Sequence, residues 1–116
     1  MTGEWAAARL LSGDVEAHPL QPGALDPADV VHGTPAVAST ALATFGDLSV
    51  GLWEITAGAV RDTEIDEVFV VLSGDATVRF EDGSALELRP GVAARLYAGD
   101  RTVWEVRETL RKVYVA

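Results

Sequence analysis

Asp62-Thr63-Glu64-Ile65-Asp66-Glu67-Val68-Phe69-Val70-Val71-Leu72-Ser73-Gly74 decides how this chain is read, because it sets four carboxylates directly against five consecutive apolar residues. The run Val68 to Leu72 is rich in β-branched residues, too short for a buried helix, and stopped by Ser-Gly. It reads as a strand covered on both faces. The acids therefore stand at the mouth of a core. Carboxylates there must be solvated, paired, protonated or bound to a cation, since an unpaired buried charge is expensive.

Downstream of Val37 the pattern is short apolar or alternating runs separated by turn residues, which predicts an all-β sandwich or barrel. Eight strands are expected: 37–45, 48–56, 67–72, 76–81, 85–88, 93–97, 102–106 and 110–115. Asp82-Gly83 is a strong two-residue hairpin signal, and Ser73-Gly74-Asp75 reads as a turn between two strands. Residues 1–35 hold four of the five prolines and little periodicity, so they form an irregular N-terminal arm to a barrel spanning 36–116. Asp26-Pro27 resembles an N-cap with a first-turn proline, predicting a turn of helix over 27–31 that Gly33 ends.

The length of 116 residues suits one domain, and 48% apolar content excludes a disordered chain. A net charge of −9 repels phosphate backbones and anionic membranes, so neither nucleic acid nor a membrane is an expected partner. No apolar run reaches the length of a membrane span, and the N-terminus lacks a signal-peptide plan; a cytoplasmic location is the expectation. With no cysteine and only His18 and His32 as imidazoles, thiolate sites, Cys nucleophiles and the usual zinc sites are excluded.

From about Gly33 onward the chain resembles the cupin superfamily, and within it the small single-domain cupins of the ethanolamine-utilisation type and the ureidoglycine aminohydrolase barrel. The resemblance rests on Gly51-Leu52-Trp53-Glu54, Gly58, Glu67, Val71-Leu72-Ser73-Gly74, Gly83, Leu88-Arg89-Pro90-Gly91, Ala98-Gly99, Trp104-Glu105-Val106 and Glu108 to Tyr114 as a spaced set. It implies a double-stranded β-helix, or jelly roll, closed around a central cavity. Members of this family usually supply two His ahead of the position of Glu67 and a third where this chain has Thr102. Here Arg61 to Asp66 contains no His. Of the usual metal ligands Glu67 alone is kept, so the metal-dependent aminohydrolase activity does not carry over and no cofactor is expected. An oxygen-only divalent cation site on Asp62, Glu64, Asp66 and Glu67 is the lesser alternative.

With the resemblance turning alternate residues inward, Glu67, Phe69 and Val71 share one lumen face and Thr102, Trp104 and Val106 another. The expected pocket has Trp53, Phe69 and Trp104 as walls and Glu64 and Arg95 as further ligand contacts. Glu67 is its general acid or base, with Tyr97 and Thr102 as hydrogen-bonding partners. Its pKa would be raised by desolvation. Alternation leaves open whether Arg95 and Tyr97 or Ala94 and Leu96 face the lumen. Arg111 and Lys112 are expected on an exposed or subunit-contact strand. Val68, Val70 and Leu72 then need outside cover, and with Val113-Tyr114-Val115 they favour a homodimer. The functional expectation is a small polar metabolite bound in the lumen, either acted on by metal-independent lyase, isomerase or hydrolase chemistry or simply held. A dimeric scaffold with a filled barrel is the alternative of a different class.

Overall fold

The computed structural model describes residues 3–116. Short strands β1 (Gln21–Pro22) and β2 (Val30–His32) precede β3 (Val37–Phe45), β4 (Leu48–Ile55), β5 (Gly58–Thr63), β6 (Glu67–Phe80), β7 (Ala85–Leu88), β8 (Ala93–Leu96) and β9 (Arg101–Val115). Among the described residues helix is confined to α1 (Glu4–Ala7) and one 3-10 turn, Pro27–Asp29, where the Asp26 side chain caps the Ala28 N–H at 2.9 Å. That turn is shorter than the expected 27–31 because Val30 already pairs with Val60. All pairings are antiparallel, and the sheet curls into a jelly-roll barrel.

Strand β9 is the spine. Its first half pairs with β5, its second half with β4, and β6 runs along its other edge throughout. Two pairs of expected strands are therefore continuous: 67–72 with 76–81 form β6, and 102–106 with 110–115 form β9. The Ser73-Gly74-Asp75 signal marks a bulged bend inside β6, where the register against β9 shifts between Val71 and Ala76. Gly74 makes the bend possible. Its φ is +100°, and a Cβ there would lie 2.3 Å from the Thr109 carbonyl oxygen, a position that only glycine tolerates.

Strand β5 is not among the eight expected strands. Gly-Ala-Val-Arg-Asp-Thr has one strongly apolar residue, but pairing with β9 gives it a strand's alternation, with Val60 beside Trp104 and Asp62 beside Thr102. The arm also joins the wall: β1 pairs with β3 and β2 with β5. The core packs Ile55, Val60, Phe69, Val71, Val78, Leu88, Leu96, Trp104, Val106 and Leu110 inside the barrel. Among the described residues no helix is long and apolar enough to cross a membrane.

Gly74→Ala should therefore lower unfolding free energy by at least about 2 kcal/mol, combining a strained φ with a backbone clash. Gly83→Ala, at a positive φ but in open space, should lose about 1 kcal/mol in the same urea titration.

Candidate functional site

A cavity of about 350 Å³ in the barrel is lined by Ser39, Trp53, Asp62, Glu64, Glu67, Trp104, Lys112 and Tyr114, among others. Register sets Trp53, Lys112 and Val71 side by side across β4, β9 and β6, and Gly51, Tyr114 and Phe69 in the next row. Gly51 is needed for that second row, because a Cβ there would approach the Tyr114 hydroxyl to 2.5 Å.

Lys112 is the unexpected residue. Rather than lying on an exposed strand it is 5% exposed, with its ammonium 4.5, 4.6 and 4.9 Å from the ring centres of Phe69, Trp53 and Trp104. Its Nζ donates to Glu67 Oε2 at 2.5 Å. A charge withdrawn from water is tolerated only when compensated, and a carboxylate with three aromatic faces compensates it. Arg111, the neighbouring residue on the opposite face, is buried too: its Nε donates to Glu54 at 3.1 Å and its Nη1 to the arm carbonyls of Val15 and His18.

A second group of charges stands beside the first. Glu64 is buried, and its Oε2 accepts hydrogen bonds from Thr102 Oγ1 at 2.6 Å and Trp104 Nε1 at 3.0 Å. Its backbone is fastened to the Tyr97–Asp100 turn, donating to Asp100 O and accepting from the Gly99 N–H. Asp62, one alternation earlier, is an exposed residue at the mouth whose carboxyl is partly covered by these neighbours. Burial of its carboxyl among these neighbours, then the charge of Glu64 and a hydrogen bond shared with it, raise the Asp62 pKa from 3.8 to about 6; the Thr63 N–H and the Lys112 charge pull the other way. This is a carboxyl that exchanges protons near neutrality, next to one fixed by two donors.

The residues singled out from sequence are distributed as follows. Trp53, Glu64, Glu67 and Trp104 line the cavity, Phe69 lies under it, and Thr102 holds Glu64. Trp104 packs edge-on against Trp53 with ring centres 5.6 Å apart. Glu67 is ion-paired with Lys112. Arg95 and Tyr97 are not brought in. Ala94 and Leu96 take the inward alternation, while Arg95 stacks over the Tyr97 ring at 4.3 Å and pairs with Asp66 at 3.1 Å on the outer surface.

The four carboxylates also diverge: Asp66 points outward to Arg95 and the Ala98 N–H, and Glu67 is occupied by Lys112. Among the described residues, no group of three or more His, Asp or Glu side chains is arranged to hold a metal ion. The donors at the family's metal position thus do not fit such an ion, since a fixed ammonium already takes the one retained ligand. A wider groove of about 560 Å³ on the other side of Asp62 is lined by Arg61, Arg79 and Arg101, but Arg79 and Arg101 pair with Glu105 and Glu81 on the exposed face.

Fold and site define a cupin, a jelly-roll barrel with a polar cavity at one end. Residues 42–114 match the EutQ-like cupin domain family, and the chain belongs to it. Among solved structures it is similar to a protein of unknown function from Pseudomonas syringae pv. tomato DC3000, at 24% identity and TM-score 0.77 over 88% of this chain and 45% of that one. It is also similar to a putative ethanolamine utilization protein Q from Salmonella typhimurium LT2, at 25% identity and TM-score 0.62, covering 70% of this chain and 68% of that one. The EutQ protein of Clostridium difficile gives 21% identity and TM-score 0.61, covering 71% and 62%. The chain thus spans less than half the length of the Pseudomonas protein. No curated protein matches it.

The Lys112–Glu67 pair should behave as one unit. Glu67→Gln leaves a buried ammonium without its counter-charge and should cost about 3 kcal/mol or more in urea unfolding. Adding Lys112→Met to that variant should recover part of the loss, a non-additivity that a double-mutant cycle reads directly.

Proposed function

We propose that the lumen binds a small polar metabolite and exchanges a proton with it through the Asp62–Glu64 pair, without a metal ion. The observation that carries this reading is the cavity of about 350 Å³, where Trp53, Trp104 and Tyr114 supply apolar walls and Asp62, Glu64, Glu67 and Lys112 converge. Apolar walls with a few placed polar groups are the usual design of a small-molecule site.

The roles divide by environment. Asp62, with a pKa near 6 and access to solvent, is suited to act as general acid or base. Glu64, held by Thr102 and Trp104, keeps that proton local. Lys112 is fixed by Glu67 and three rings, and offers its remaining N–H donors to a ligand oxygen. Such a set serves lyase, isomerase or hydrolase chemistry on a small hydroxy, keto or amino compound. Perturbed carboxyls in a cleft are the usual mark of such sites.

The test is a screen of small hydroxy, keto and amino compounds against ¹⁵N-labelled protein, following the Trp53 and Trp104 indole resonances. One chemical class should shift both, and Trp53→Ala should weaken that binding roughly tenfold or more, equivalent to about 1.4 kcal/mol. Asp62→Asn should keep the binding and abolish turnover of the bound compound. Indole resonances that no compound moves would contradict the reading; binding that persists with no product in wild type would reduce the site to a holding function.

A further inference from the structure

A carboxylate shut away from water ordinarily keeps a cation beside it, because a pair of neutral donors does not replace the hydration of a full charge. Glu64 has no such cation. It is 8% exposed, and its two donors, Thr102 Oγ1 and Trp104 Nε1, both reach Oε2. Among the described residues no ion pair includes Glu64 or Asp62, and the cation that lines their cavity, Lys112, is taken by Glu67.

The rest of the cavity wall suits an organic cation better than a metal ion. A hard cation needs a shell of oxygen ligands, and among the described residues no group of three or more His, Asp or Glu side chains is gathered to supply one. An ammonium head has three N–H donors, which neutral acceptors can share with charged ones. Glu64 and Asp62 offer carboxylate oxygens, and the hydroxyls of Ser39 and Tyr114 line the same cavity. Trp53 and Trp104, edge to face with ring centres 5.6 Å apart, give a short hydrocarbon body an apolar wall. Lys112 already shows the lumen holding an ammonium in this way, with one carboxylate and three aromatic faces 4.5 to 4.9 Å away.

We propose that the ligand of the lumen is a small primary amine bound as its ammonium ion, with Glu64 as its counter-charge, Asp62 beside it and the Trp53–Trp104 wall along its carbon chain. The assignment rests on the lumen being a small-molecule site, and it selects the amines from among hydroxy, keto and amino compounds. Three carboxylate side chains against one ammonium leave the cavity lining net negative, which repels a carboxylate or phosphate ligand and attracts a cation. The charge of −9 on the whole chain adds to that bias. A neutral alcohol or ketone would leave Glu64 without a counter-charge, whereas an ammonium supplies it.

Four probes of one chain length separate head group from body: n-butylamine, n-butanol, butyrate and butyltrimethylammonium. Each is titrated into the ¹⁵N-labelled full chain while the Trp53 and Trp104 indole resonances are followed. At about pH 8 butylamine is an ammonium and butyrate a carboxylate. Butylamine should shift both indoles at a concentration at least about tenfold lower than the other three, since the quaternary ion has charge but no N–H to give Glu64. Glu64→Gln keeps an acceptor for Thr102 and Trp104 without the charge, and should remove that advantage while the butanol titration stays as in wild type. Should Glu64→Gln lose its fold, the order of the four probes on wild type decides alone. Butanol, butyrate or the quaternary ion binding as tightly as butylamine, or an amine affinity that survives Glu64→Gln, would overturn the assignment and leave the lumen a small-molecule site. Indoles that none of the four moves would overturn it too, and the screen of other compounds then decides whether the small-molecule reading falls with it.

Discussion

An ammonium group taken out of water needs its charge answered on the spot, and the lumen of this barrel is arranged around the answer given to Lys112. Glu67 supplies the counter-charge, and the faces of Trp53, Phe69 and Trp104 supply the rest of the shell. Because Glu67 is committed in this way, it is the Asp62 and Glu64 carboxylates that face each other without a cation between them. Burial of the Asp62 carboxyl at the edge of the apolar core, and then the charge of Glu64 beside it, favour retention of a proton and raise its pKa. The site's chemistry thus follows from which carboxylate the lysine takes.

Backbone geometry makes that arrangement available. Strand β9 carries Thr102, Trp104 and Lys112 on one face because their alternation holds along the first half and resumes in phase along the second. The bend at Gly74 lets β6 follow β9 around the turn of the barrel, and Gly51 leaves room for the Tyr114 ring. On the other face the same alternation exposes Val68 and Val70 and turns Arg111 toward the arm, so the exposed apolar face and the lumen are two sides of one set of strands.

Much of this was legible before the structure. The strands 37–45 and 85–88 coincide with those expected, and Phe69, Val71, Thr102, Trp104 and Val106 turn inward as alternation requires. Three features were not. Strand β5 escaped because Arg61, Asp62 and Thr63 look like loop, and its strand character comes from β9, a partner remote in sequence. For the same reason Asp62 was read only as an alternative cation ligand, although it is an i, i+2 neighbour of both Val60 and Glu64. Lys112 was misread although the signal was present: Leu110, Lys112 and Tyr114 share an alternation, and a lysine between a leucine and a tyrosine belongs with them inside. Arg95 and Tyr97 could not be assigned because Ala94 and Leu96 offer an equally plausible inward pair, and packing against the core decided between them.

The central claim is that the lumen separates a neutralised carboxylate, Glu67, from a proton-holding one, Asp62. A pH titration of the side-chain carboxyl carbons by NMR addresses it most directly. The account places the Asp62 midpoint near 6, moving down toward 3.8 when Glu64→Gln removes the neighbouring charge. A folded-state pKa above the unfolded one means that the native protein binds the proton more tightly. The stability contributed by Asp62 protonation is then complete below 3.8 and lost as pH rises through 6, and Asp62→Asn should remove that slope. An Asp62 carbon that titrates near 3.8 in wild type and ignores Glu64→Gln would contradict the account.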